Sequence, residues 1–120
     1  MKLSSFETKK PVLVVFWAAW CPDSTRAIKE INKDYQAYKD AGVEIYTVAT
    51  DPQVNTVTSY EKIQKIVLPT VNDADKKVQN SYGITIVPTV CLVDKAGKVA
   101  QFHKDYPGKD KLLAEITALK

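Results

Sequence analysis

The run Val12-Leu13-Val14-Val15-Phe16-Trp17 constrains this chain more than any other feature. Its six residues are aliphatic or aromatic without a polar alternate, so both faces of the strand they form need cover. That is the pattern of a central strand in a parallel or mixed sheet, with helices packed on its faces. The surrounding apolar stretch, residues 11–21, is about half of the roughly 20 residues a membrane span needs, so it reads as a core strand.

The rest of the chain supplies partners for that strand. From Asp23 to Ala41, the apolar residues Ile28, Ile31, Tyr35 and Tyr38 recur at helical spacing, and Gly42 closes the element. Val43–Ala49 reads as a second strand, broken by Asp51-Pro52. Val54, Val57, Ile63 and Ile66 mark a second helix that ends near Pro69. Ala74, Val78 and Tyr82 mark a short third helix before Gly83. Thr89–Val93 and Lys98–Phe102 read as strands of a hairpin turned by Asp94-Lys95-Ala96-Gly97, with Gly97 at the position that needs positive φ. Leu112, Leu113, Ile116 and Leu119 mark a C-terminal helix. The order βαβα-α-ββα predicts an α/β domain with a mixed sheet flanked by helices.

At 120 residues, with 45% hydrophobic and 26% charged, the chain is sized for a single domain over residues 1–120 and is not disordered in composition. The net charge of +3 is spread without a basic stripe, which argues against nucleic acid as a partner. Two cysteines and one histidine exclude a disulfide-dense scaffold and most all-protein zinc sites, so neither metal nor cofactor is expected. Met1-Lys2-Leu3 leads into polar residues rather than a signal peptide. Taken as given, that describes a cytosolic chain; a soluble domain and a monomer are the expectation, with a membrane anchor open for a longer protein.

The chemistry concentrates at Cys21-Pro22-Asp23-Ser24, directly after the first strand. Cys21 falls at a helix N-terminus, where unpaired N–H groups and the macrodipole favour an anion. This position is expected to lower the thiol pKa below about 8.5 and to raise its reactivity. Pro22 suits the first helical turn, since its missing N–H costs little there. Cys91, mid-strand, reads as core packing, and His103 as a surface residue. Trp17 reads as core beside the site, Trp20 as a partly exposed contact surface, and Tyr35 and Tyr38 as helix-to-sheet packing.

The segment Phe16-Trp17-Ala18-Ala19-Trp20-Cys21-Pro22 resembles the active-site run of the thioredoxin superfamily, and Ile86-Val87-Pro88-Thr89 resembles its cis-proline signature. Asp94-Lys95-Ala96-Gly97-Lys98 resembles the hairpin that follows. The added helix after the second strand, followed by Leu68–Asp75, is similar to the TlpA/ResA-like branch of membrane-anchored or periplasmic thiol–disulfide oxidoreductases. The resemblance covers about Leu3 to Lys120. It implies a thioredoxin-like fold with a TlpA-like helical insertion, and a cis Val87–Pro88 bond packed against Cys21. It also implies disulfide exchange with protein disulfide or dithiol substrates and a thiol reductant, and a bacterial periplasmic or cell-envelope setting. Cys21 and Ser24 are then the catalytic pair of positions. Trp20, Pro22, Asp23, Val87 and Pro88 bind substrate or support the site.

Four departures from the family pattern stand out. Ser24 replaces the second cysteine. Val15 stands where thioredoxins keep a buried acid, as in many TlpA-like members. Lys29 stands where many members have a helix-kinking proline. The N-terminal β-hairpin of TlpA-like domains has no counterpart, so the chain reads as a domain cut from a longer protein. Ser24 decides the chemistry: a hydroxyl cannot form a disulfide, although it can donate a hydrogen bond to the Cys21 thiolate. Cys-Pro-Asp-Ser is then either an engineered trap for mixed disulfides or a natural monothiol site resolved by glutathione or a partner thiol.

Three alternatives share the fold. A peroxiredoxin-like enzyme needs threonine or serine where Ala18 stands. A monothiol glutaredoxin-like enzyme matches Cys21 and Ser24, but needs a Gly-Gly pair where Val93-Asp94 stands. A redox-inactive module would use the cis-proline groove to hold extended peptides, and needs no reactive thiol.

Overall fold

The structure, a computed structural model, describes residues 10–19, 21–50, 54–66, 68, 70–72, 80, 83–84, 86–96 and 98–119. The long apolar run forms β1 (Val12–Trp17), every residue of it buried. Its neighbours are β2 (Glu44–Ala49), which runs parallel to it, and β4 (Thr89–Val93), which runs antiparallel. The edges are β3 (Thr70–Asn72), parallel to β2, and β5 (Val99–His103), antiparallel to β4. The sheet order is β3-β2-β1-β4-β5. The alternate residues of β1 feed two separate clusters, as a strand buried on both faces demands.

One cluster joins Leu13, Val15 and Trp17 to residues from every described helix. These are α1 (Pro22–Lys33) with Ile28 and Ile31, α2 (Tyr35–Asp40) with Tyr38, α3 (Val54–Gln64) with Val57, and α4 (Lys109–Ala118) with Leu112 and Ile116. The other cluster joins Val12, Val14 and Phe16 to Val48, Cys91, Val93 and Ile84. The short helix expected through Ala74, Val78 and Tyr82 lies outside the described residues, as do Gly97 and the Asp51-Pro52 break. No helix among the described residues is long and apolar enough to cross a membrane.

The structure corrects the sequence-based outline in four places. The single helix expected from Asp23 to Ala41 is two helices. Asp34, at φ −99° and ψ 14°, breaks it, and its amide is shared between the Glu30 and Ile31 carbonyls at 3.1 and 3.2 Å. Aspartate is a poor interior helix residue, and the tightened turn there follows its local preference. The helix expected to run toward Pro69 stops at Gln64, because Lys65 adopts φ 55°. The strand β3 was not expected at all; three residues on a sheet edge are too few to show a period. The hairpin's return strand starts one position later than expected, at Val99. Gly42 does end α2 as expected: at φ 87° it lets its own amide reach the Lys39 carbonyl and the Val43 amide reach that of Tyr38.

A bulge where β5 meets Leu92 and Val93 sets Phe102 opposite Cys91 and Val99 opposite Val93. Both side chains stay well exposed, at 43% and 41%. Truncating a buried residue should therefore cost far more than truncating one here. Ile116→Ala is expected to lower unfolding free energy by about 2–5 kcal/mol, and Val99→Ala by no more than about 0.5 kcal/mol. Urea midpoints at unchanged slope check this.

Candidate active site

The path from β1 to α1 places the first thiol. The Trp17 carbonyl at the end of β1 accepts the Thr50 amide at 2.9 Å and its hydroxyl at 3.3 Å. Ala18 is still fully buried. Its carbonyl accepts the Cys21 amide at 3.1 Å, closing a turn that lifts the chain out of the sheet. Cys21 is the N-cap of α1, in extended conformation, with Pro22 as the first helical residue. Its carbonyl accepts the Thr25 amide at 3.0 Å. The thiol is half-buried and points across to the Val87 carbonyl, 3.9 Å away.

Val87 reaches the thiol because the chain folds back just before β4. The Val87–Pro88 bond is cis, as the thioredoxin resemblance implies. Pro88 is buried, Val87 half-buried and Ile86 49% exposed. The Thr89 hydroxyl donates to the Ile86 carbonyl at 2.6 Å and closes this turn. Residues 66 positions apart in sequence thus meet at one sulfur. Ile86 adds an exposed apolar side chain on the same segment; its place two residues before the proline was the available signal.

The other expected site residues are distributed less evenly. Ser24 is fully buried, and its hydroxyl has no hydrogen-bond partner among the described residues. It does not reach Cys21, whose thiol is directed to Val87 instead. A buried hydroxyl in that state costs about 1–3 kcal/mol. Pro22 and Asp23 face solvent, and the Asp23 carboxylate accepts from Arg26 at 3.1 Å. Such an exposed pair contributes little, though an acid suits a first helical turn. Trp20 lies outside the described residues.

The second thiol is a different chemical object. Cys91 is fully buried in β4, and burial pushes its thiol up to about 12. Trp17 is fully buried, in agreement with its expected core role. Tyr38 is also fully buried and its hydroxyl pairs with that of Tyr106, while Tyr35 packs at the margin of the same cluster. Burial, first, and the Tyr106 hydrogen bond push the Tyr38 hydroxyl far up. His103 is not a surface residue. Its side chain is 16% exposed and its Nε2 lies 2.8 Å from Glu115 Oε1, because the end of β5 runs beside α4.

A five-stranded mixed sheet, a thiol at the N-cap of the helix that follows the central strand, and a cis-proline turn against that thiol define a thioredoxin-like domain. Residues 1–102 match the AhpC/TSA family. The chain belongs to that family, as a TlpA/ResA-like member of the thioredoxin superfamily. It is 32% identical over 103 residues to the thiol-disulfide oxidoreductase ResA of Bacillus thuringiensis subsp. konkukian, covering 86% of this chain and 60% of that protein. It is 31% identical over 112 residues to ResA of Geobacillus thermodenitrificans, covering 92% of this chain and 64% of that protein. The chain thus spans less than two thirds of the length of these relatives. Its fold superposes on the thioredoxin domain of a thiol-disulfide oxidoreductase from Bacteroides vulgatus with a TM-score of 0.78 at 29% identity, covering 100% of this chain and 86% of that one.

Because Cys91 is held protonated by burial, its effect on stability has a definite sign. As pH rises past the ordinary thiol value of 9.0, the unfolded chain ionises this group and the folded chain does not until about 12. Its contribution is therefore fully present below pH 9 and is lost between about 9 and about 12. Cys91→Val should fall less steeply over that window than the unaltered chain, as chemical denaturation at stepped pH would show. Tyrosine contributions are common to both proteins and cancel in the difference.

Proposed function

We propose that this chain exchanges thiols with protein disulfides through Cys21. The observation that carries the reading is the asymmetry of its sulfurs. One thiol stands half-buried at a helix N-terminus beside the Val87 carbonyl, and the other is sealed in the core. The Cys21 thiolate attacks one sulfur of a substrate disulfide. A Cys21–substrate disulfide forms, the substrate S–S bond breaks, and the departing thiolate takes up a proton. An extended substrate segment lies along residues 86–87, with the half-exposed Ile86 side chain against it and main-chain hydrogen bonding to Val87.

Release of that adduct needs a second thiol. Ser24 cannot supply it, and Cys91 sits mid-strand in the core. The chain as it stands therefore makes the mixed disulfide and waits for an external thiol, glutathione or a partner protein. Position 24 suits sulfur better than oxygen: a thiol is a weak donor that tolerates burial without a partner, whereas the serine hydroxyl finds no partner among the described residues. The same proposal takes residues 1–120 as one domain, supported by the single sheet that joins both core clusters. It also takes the bacterial cell envelope as the setting, on the strength of the TlpA/ResA-like pattern. Recovery of the native protein from cytosolic fractions would remove that part.

The test compares the unaltered chain with Ser24→Cys in reduction of insulin disulfides. The unaltered chain should accumulate a covalent adduct at Cys21 and turn over only when free thiol is added. Ser24→Cys should form a reversible disulfide with Cys21 and turn over with a reductant. A Ser24→Cys protein that neither closes that disulfide nor gains turnover would sink the dithiol ancestry and leave a monothiol enzyme. A Cys21 no more reactive than Cys91 toward iodoacetamide would leave only a peptide-binding module.

A further inference from the structure

We infer that Tyr60 is a positioning residue for Cys21, clamping both ends of the segment that carries the thiol; this rests on the exchange reading above. Residues 18–24 run from the end of β1 through the first turn of α1 and hold Cys21 between two anchor points. Tyr60, on α3, touches both. Its ring lies 5.6 Å from that of Trp17, centroid to centroid, tilted by 53°. Its hydroxyl donates to the Thr25 carbonyl at 3.3 Å. The Thr25 amide in turn donates to the Cys21 carbonyl at 3.0 Å, so the second anchor is one hydrogen bond from the cysteine itself.

Both the anchors and the clamp are firm. Trp17 is fully buried, and its carbonyl holds the Thr50 amide and hydroxyl. On the far side, α3 is tied to the sheet edge by the Thr70 hydroxyl, which donates to the Glu61 carboxylate at 2.6 Å. It is tied to α1 by the Asn32 side-chain amide, which donates to the Lys65 carbonyl at 3.3 Å. Burial pushes the Tyr60 hydroxyl up, so it remains a donor.

A phenylalanine would fill the same space. The hydroxyl adds a bond to a carbonyl in the helix that Cys21 caps. Tyr60 thereby fixes the distance from the end of β1 to α1, and with it the place of the sulfur relative to the Val87 carbonyl. In-line attack on a docked disulfide is steeply sensitive to that placement, with a displacement of about 1 Å costing on the order of a hundredfold.

The test measures single-turnover mixed-disulfide formation with insulin as the probe, in the unaltered chain, Tyr60→Phe and Tyr60→Ala. The maximal rate should fall about three- to tenfold in Tyr60→Phe and further in Tyr60→Ala. The half-saturating insulin concentration should not move, and Cys91 should stay protected from alkylation. An unchanged maximal rate in Tyr60→Phe overturns the inference. So does a raised half-saturating concentration at unchanged maximal rate, which would make Tyr60 a docking residue. If Tyr60→Ala unfolds and exposes Cys91, Tyr60→Phe decides alone. If the unaltered chain forms no mixed disulfide, the exchange reading fails instead. The iodoacetamide rate at Cys21, which needs no disulfide, then decides the clamp: slower in Tyr60→Phe supports it, and equal overturns it.

Discussion

Burial of β1 on both faces is the condition from which the rest of this structure follows. Six residues without a polar side chain cannot sit on an open sheet, so β1 takes the centre, parallel to β2 and antiparallel to β4. Its odd-numbered residues meet the four described helices, while its even-numbered residues meet Val48, Cys91, Val93 and Ile84. A strand so enclosed has only its ends in reach of solvent. The carboxyl end of β1 is therefore the natural place for chemistry, and the turn at residues 18–21 brings the chain out there as the N-cap of α1.

The same enclosure sorts the two cysteines. One lies where the chain leaves the core, at a helix end whose amides and dipole favour negative charge. The other lies inside β4, where nothing stabilises a thiolate and burial holds the proton on. Two identical side chains thus acquire different exposure and different neighbours from position alone. Ser24 shows the converse. It occupies a fully buried place in the first turn of α1, yet its hydroxyl has no hydrogen-bond partner among the described residues. Burying a hydroxyl in that state costs about 1–3 kcal/mol.

Polar contacts between elements set the geometry that packing alone leaves loose. Apolar contacts are non-directional, and several helix orientations bury similar area. The Glu61–Thr70 hydrogen bond fixes α3 against the sheet edge, and Thr70 also pairs with Thr47 of β2 at 2.8 Å. The His103–Glu115 contact joins β5 to α4, and the Tyr38–Tyr106 hydroxyl pair joins α2 to the segment before α4. His103 and Tyr38 read singly as a surface and a packing residue, because the meaning of such a contact lies in a partner distant in sequence.

The sequence by itself determined the central strand, the helix that follows Cys21, the stop at Gly42 and the two segments that form the site. These depend on local patterning, on an N-terminal helix signal and on a proline motif, all contained within a few neighbouring residues. The resemblance already set the cis-proline segment against Cys21. Only the tertiary structure decided that the thiol points to the Val87 carbonyl itself, that Ser24 is sealed without a partner among the described residues, that His103 is paired, and that α3 reaches over to Trp17 and Thr25. It also decided the break at Asp34 and the three-residue edge strand β3, where one turn or one short pairing carries too few residues to leave a period. The division has a single physical reason. Backbone propensity and hydrophobic period act over a few residues, whereas a hydrogen bond across 66 positions exists only once the sheet has brought its two ends together.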